Sequence, residues 1–533
     1  MTGRVAWASV ALVLALGVGL FRYLSIAGLS NDHYMHLAAG QQIAMGEWPS
    51  RDYVELGLPL MEALSAIPFL LIPQAPLFGE AILVAVMFSL ATVFTFYAAH
   101  RLTGSWWIAL LVVALEVIIF PRTYSYPKVL AYALGFFTMW RYIDQPFRVV
   151  ELATAVVVAF GLRHDHGLYL GIGALLAVLF TPASGGARDA VRRAVLFASV
   201  VLLFVTPYLI FTSVYDGLWR HLMRGMELQQ VESSRGRTIP SFNFDDGFFT
   251  SNAEPWLFFL FHLLPVVAAV VVMVRWRRQR NPRELAMILP LIVVALLVDF
   301  GLIRDTVSAR LPDAVVPAAL LIGWLVAVVA RQRGRAVRSL TWAATAVMVA
   351  LTMTSAAAIG DIKEQLEKAE MLGTPARLWD HMRNRTAQFH ERVPLAQMPS
   401  RVASSLVQFF TYADRCLNER DHILIPAYAP EVGVWSRRLF AGGQLWFQPE
   451  LLRSADDHRF VMNRLAEQRV PVAILLSPSA EQVAARFPEL DRYLRDFTER
   501  IPRNTDDGRN LVIAFNPQLA VGRDRETGWY CYR

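Results

Sequence analysis

Hydrophobic and polar residues fall along this chain in long blocks. Predominantly apolar runs occupy residues 5 to 23, 79 to 99, 105 to 121, 128 to 143, 148 to 162, 166 to 181, 190 to 213, 254 to 274, 285 to 303, 313 to 330 and 338 to 358. Each is close to the length a helix needs to cross bilayer hydrocarbon, so the pattern predicts about eleven transmembrane helices. A further apolar stretch, 57 to 73, is interrupted by Pro59, Glu62, Pro68 and Pro73. Its marginal length and its prolines suit a helix lying at the membrane interface. The first run, followed by "SIAG", imitates a secretory signal; its length and the spans that follow it favour a retained first helix.

After residue 358 the pattern changes. Helical patterns such as "DIKEQLEKAEML" and "HRFVMNRLAEQR" alternate with short apolar runs, "HILIPAY", "VPVAILLS" and "NLVIAF". That alternation predicts a small soluble α/β domain at 359–533, anchored by the last helix of a transmembrane domain at 1–358.

Composition agrees with a polytopic membrane protein. Of 533 residues 55% are hydrophobic and 18% charged, too apolar a balance for an ordinary soluble domain. The net charge of +7 sits in short arginine clusters between apolar runs, which points to membrane topology and away from nucleic acid. With 57 to 73 left at the interface, "RYIDQPFR" (141 to 148), "GARDAVRR" (186 to 193), "RWRRQR" (275 to 280) and "RQRGRAVR" (331 to 338) share one side. The positive-inside rule then puts these clusters and the N-terminus in the cytoplasm and the C-terminal domain outside. The arginine- and alanine-rich composition, without eukaryotic targeting signals, points to a bacterial inner membrane and so to a periplasmic C-terminal domain. An oxidising exterior would permit a bridge between Cys416 and Cys531, the chain's two cysteines, with two free thiols as the alternative. The sequence shows no P-loop, no GxGxxG after a strand, no CxxC metal motif and no internal repeat, so ATP coupling and dinucleotide chemistry lack support.

The titratable residues worth singling out lie in the outer loops. The opening loop, "SNDHYMHLAAGQQIAMGEWPSRDY" (30 to 53), has helical character that puts Asp32 and His36 at i,i+4, with Ser30 or Asn31 as a cap and Gly46 at the helix end. Asp32 either caps a surface helix or, at the edge of low-dielectric lipid, serves as a base toward a hydroxyl. In "PRTYSYPK" (121 to 128), Arg122 and Lys128 flank Tyr124 and Tyr126, which suits a lipid phosphate as well as plain interfacial anchoring. "RHDHG" concentrates Arg163, His164, Asp165 and His166. Hydrogen bonding to sugar or phosphate fits this run better than a metal, since the spacing is not a diagnostic ligand motif. The longest loop adds Arg220, His221, Arg224, Glu227, Arg235 and Arg237, while Glu116 and Asp299 lie within spans near their outer ends.

The first 170 residues resemble the GT-C superfamily of polytopic glycosyltransferases, which includes protein O-mannosyltransferases and lipid A aminoarabinose transferases. The resemblance rests on a first helix, "NDHYMHLAAGQQIAMGEWPSRDYVELGLPL", a helix pair and "PRTYSYPKVL". Asp32 stands at the superfamily's acidic position after the first helix, and His33 stands where many relatives carry a second acid. The resemblance implies inverting transfer of a hexose or pentose from a polyprenyl-phosphate donor to an acceptor hydroxyl on a glycan, lipid or protein. It assigns Asp32 as the catalytic base and places the donor phosphate near Arg122 and Lys128. His33, His36, Asp52, Tyr124, Arg163, His164, Asp165 and His166 complete the expected substrate-binding set. No resident cofactor is implied, with a weakly bound divalent metal as the alternative. The rival class is a transporter, a flippase or an assembly factor for lipid-linked saccharides; such transporters commonly show related halves, which this chain lacks.

Overall fold

The computed structural model describes residues 2–29, 31–182, 186–234, 239–243, 245, 251–303, 307–331, 335–391, 405–447, 452, 454–505 and 508–533. Its helices run in chain order from α1 (Thr2–Ser25). The opening loop carries α2 (Asn31–Ala44) and α3 (Pro59–Leu71). There follow α4 (Pro76–Thr103), α5 (Trp106–Ile118), α6 (Tyr126–Asp144), α7 (Val149–Leu162), α8 (His164–Phe180), α9 (Gly186–Tyr215) and α10 (Leu218–Ser234). Next come α11 (Ala253–Gln279), α12 (Pro282–Leu302), α13 (Val315–Ala330) and α14 (Arg335–Ile359). Every predicted span has its helix. Seven segments among the described residues are long and apolar enough to cross a membrane, whereas α5, α7 and α8 are shorter apolar helices.

Local chemistry sets the helix ends. Ser105 caps α5, its side chain accepting from Ile108 N. α5 ends at Ile118, short of the predicted 121, where Phe120 adopts φ 50° ahead of Pro121. α3 starts with Pro59 in its first turn and is 13 residues long, about 20 Å, too short to span hydrocarbon about 30 Å thick.

The chain forms two compact units. The first contains 1–25, 82–208 and 232–382, and at its centre α6 is buried along most of its length. Small residues bring its helices close: a Cβ on Gly173 of α8 would lie 2.5 Å from Val294 of α12, and one on Gly135 of α6 would lie 2.6 Å from Leu170. Such contacts suit helix packing where the surrounding lipid offers no hydrophobic drive.

The second unit contains 26–81, 209–231 and 383–533. It therefore groups the opening loop with the C-terminal α/β region, and no single cut at 358 separates the two units. Of α15 (Pro375–His390) the part from Arg383 belongs to this unit. Helices α16 (Val407–Cys416), α17 (Glu431–Ser436) and α18 (Ala455–Glu467) accompany strands β1 (His422–Leu424), β2 (Leu439–Phe440), β3 (Val472–Leu476), β4 (Glu499–Asn504) and β5 (Asn510–Phe515). The sheet order is β2-β1-β3-β5-β4. β1 pairs parallel with β2 and β3, and β5 pairs antiparallel with β3 and β4. Apolar side chains on the sheet and α18, among them Leu424, Ala473, Ala514, Val461 and Leu465, form the core. Cys416 and Cys531 are joined in a disulfide that ties α16 to the C-terminal strand.

Polar side chains fix the opening loop within this unit. Gln41 Nε2 donates to the Arg438 carbonyl at 2.8 Å, and Val54 N donates to the Gly443 carbonyl at 3.0 Å. Glu47 meets His422 Nε2 and Arg464 Nη2, each at 3.0 Å.

Candidate active site

In the second unit, the first turn of α2 exposes Asp32 and buries His33 and His36. Although they stand at i,i+4, Asp32 and His36 thus meet different surroundings. The Tyr428 hydroxyl donates to Asp32 Oδ1 at 2.8 Å, and the Tyr428 ring stands edge-on to Trp446 at 5.2 Å. His33 Nε2 lies 2.7 Å from Glu80 Oε1, which also accepts from Ser65 Oγ at 3.1 Å. The His33 ring therefore links α2 to α3 and the start of α4.

Asp52 supports the turn after α2. Its Oδ2 accepts from Trp48 N at 2.7 Å and from Arg51 Nε at 2.8 Å, and Arg464 approaches its other oxygen at 3.5 Å. Glu55 Oε1 accepts from the Gly57 and Leu58 amides at 2.5 Å each, satisfying backbone donors where α3 begins. Tyr53 donates to Glu62 Oε2 at 2.8 Å. Burial, then the neighbouring Glu55 carboxylate, push Glu62 well above the ordinary glutamate range, and burial beside Glu62 raises Tyr53 likewise.

The long loop adds a charged cluster to this unit. His221 Nε2 lies 3.5 Å from Glu55 Oε2, and Arg224 reaches Asp216 at 2.9 Å and Asp457 at 3.4 Å. Burial alone would raise the Asp216 carboxyl, yet His221 and Arg224 together hold it below its usual value. Glu227 is half-buried, while Ser30, Arg235, Arg237, Arg304 and Asp305 lie outside the described residues.

The first unit holds the remaining predicted residues. Arg122 is exposed, with Nη1 donating to the Tyr124 hydroxyl at 2.7 Å. Arg22 of α1 holds the start of this turn. Its guanidinium lies between the Phe88 and Phe120 rings, 4.0 and 4.1 Å from their centroids, and donates to the Pro121 carbonyl at 2.8 Å. Lys128 and Asp313 are both buried and form an ion pair. Arg163 grips Asp165 with two nitrogens, at 2.8 and 3.2 Å, and Asp165 also accepts from His166 N at 2.9 Å. His166 Nδ1 bonds the Tyr132 hydroxyl, while His164 stacks on Phe160 at 4.1 Å. The two rings of the His-Asp-His run thus take separate partners.

Glu116 and Asp299 are buried, and Glu116 accepts from Thr92 at 2.9 Å. Sequence reasoning passed over Arg22, Glu80, Asp313 and Tyr428. Arg22 and Asp313 carried a usable signal, a lone charge inside or at the start of an apolar run; Tyr428 carried none.

Across nearly its whole length the chain superimposes on crystalline ArnT from Cupriavidus metallidurans bound to undecaprenyl phosphate. The match covers 96% of this chain and 98% of that one, at 13% sequence identity and a TM-score of 0.51. The fold is GT-C-like. The archaeal oligosaccharyltransferase AglB from Archaeoglobus fulgidus, in complex with an inhibitory peptide and a dolichol-phosphate, also aligns, over 97% of this chain and 75% of that one, with 11% identity and a TM-score of 0.48. No protein-family model matches the chain, and no curated protein sequence matches it.

At 13% identity to ArnT the likeness is one of fold. The candidate groups are, in the second unit, the exposed Asp32 carboxylate on α2 and, in the first, the exposed Arg122 and the half-buried Arg163. A carboxylate can accept a proton from a hydroxyl, and guanidinium groups can balance phosphate charge.

Proposed function

We propose that the protein is a membrane glycosyltransferase that moves a sugar from a polyprenyl-phosphate donor to an acceptor hydroxyl on the outer face of the membrane. The observation carrying this reading is the exposed Asp32 carboxylate in the first turn of α2, within a fold shared with a protein crystallised with undecaprenyl phosphate. Asp32 takes the acceptor's proton as its oxygen attacks the anomeric carbon, and the bond from that carbon to the phosphate oxygen breaks. The polyprenyl phosphate leaves with the electron pair, so configuration inverts. The departing phosphate calls for cationic balance, the role that the GT-C resemblance implies for Arg122 and Arg163.

Lys128 takes a different role in this scheme, because its ammonium is spent on Asp313. The pair supports the turn that carries Arg122 and Tyr124. Asp165 orients Arg163 through its paired hydrogen bonds. The arginine clusters and the disulfide support a multi-pass membrane protein with an outer C-terminal domain, and the arginine- and alanine-rich composition fits a bacterial plasma membrane.

The test is transfer from a panel of polyprenyl-linked sugars by wild type and Asp32→Asn, with mass spectrometry of the lipids that copurify with each. Asp32→Asn is expected to retain the donor and to lose about 10²- to 10⁴-fold in turnover. Near-normal turnover would remove Asp32 from the mechanism. Ordinary phospholipid alone in both samples, with no transfer from any donor, would favour a transporter or assembly factor.

A further inference from the structure

A cavity of about 1280 Å³ opens between α11, α13 and α14, all within the first unit. Its walls are apolar, formed by residues such as Val271, Leu325, Val329 and Met348. One end is different: Arg275, Arg278 and Gln279 from the end of α11 meet Arg331 from the end of α13.

These arginines differ in their partners. Arg275 is engaged by Glu284, at 2.9 and 3.1 Å. Arg278 is exposed, and Arg331 gives a nitrogen to the Thr103 carbonyl. Among the described residues neither Arg278 nor Arg331 is paired with a carboxylate. The groove therefore joins an apolar wall on membrane-crossing helices to two guanidinium groups whose charge no neighbouring carboxylate balances. Hydrocarbon suits the wall, and an oxygen anion suits the mouth.

We propose that this groove binds one anionic phospholipid. The phosphodiester lies against Arg278 and Arg331, and an acyl chain runs along Val271, Leu325 and Met348. A headgroup without its own cation is preferred, because choline or ethanolamine would bring a positive charge toward the two guanidiniums. The site uses none of the residues assigned to sugar transfer, so it stands or falls independently of that function.

The test is native mass spectrometry of the full chain in mild detergent, titrated with phosphatidylglycerol or with phosphatidylcholine. Wild type is expected to retain one phosphatidylglycerol per chain at about tenfold lower lipid concentration than phosphatidylcholine. Arg278→Gln combined with Arg331→Gln should bring the two lipids level. Ala344→Trp, which fills the groove from α14, should abolish retention of both. Arg278→Gln alone leaves the bond to Thr103 in place, and a several-fold loss of preference in that variant supports the site even where the double variant fails to fold. Equal retention of both lipids by wild type, or an unchanged preference in Arg278→Gln, would overturn the proposal.

Discussion

Lys128 shows how a residue chosen for one chemistry can be committed to another. Read in sequence, it is a cation beside tyrosines at a membrane boundary. In the folded chain it is buried against Asp313, 185 positions away. Removing one member of a buried pair strands the other charge, so Lys128→Met is expected to cost about 3 to 5 kcal/mol. Pairing it with Asp313→Leu should recover most of that loss. Thermal unfolding of the three variants in one detergent measures both effects, and a double variant no better than the single would show that Lys128 acts outside the pair. The same distance explains what was legible at this scale. Asp32 stands out because a carboxylate directly follows an apolar run, but its hydrogen-bond donor Tyr428 is 396 residues downstream, and no local pattern connects the two. His33 and His36 read as surface ligands because an isolated helix has no buried side; packing supplied one.

Among the elements, α2 and α3 depend on a close approach. A Cβ on Gly40 would lie 2.5 Å from the carbonyl carbon and oxygen of Ser65, and backbone cannot yield there as a flexible side chain can. Gly40→Ala is therefore expected to destabilise the protein by about 1 to 3 kcal/mol. Gly17→Ala, with nothing within 4 Å of its new methyl group, should be neutral or slightly stabilising. Comparing their melting temperatures separates a collision from a general intolerance of alanine. Legibility of elements followed burial. The apolar runs "HILIPAY", "VPVAILLS" and "NLVIAF" contain β1, β3 and β5. By contrast β4, "ERIPRN", is exposed over most of its length at the sheet edge and carries no apolar alternation strong enough to read.

For the molecule as a whole, block-like hydropathy was a sufficient guide to the apolar helices, because a run placed in lipid must satisfy its backbone internally. It said nothing of the grouping of the opening loop with the C-terminal region, which rests on individual polar bonds such as Gln41 to the Arg438 carbonyl. That unit is cross-linked by a disulfide spanning 115 residues. Replacing both cysteines with serine is expected to cost about 2 to 4 kcal/mol, since the open chain regains entropy on unfolding. Limited proteolysis should then cut the C-terminal region at lower temperature, and the wild type should show the same change under reductant. Equal resistance with and without the bridge would place the stability of the region in its sheet core.

The bond between Tyr428 and Asp32 also has a place in time. The chain is made from its N-terminus, so Asp32 leaves the ribosome well before the residue that completes its surroundings. At about 5 to 20 residues per second, the 396 positions between them amount to roughly 20 to 80 s of synthesis. A nascent chain, or one terminated before Tyr428, thus carries the carboxylate without its hydroxyl donor, and the pair forms only once about four-fifths of the 533 residues have been translated.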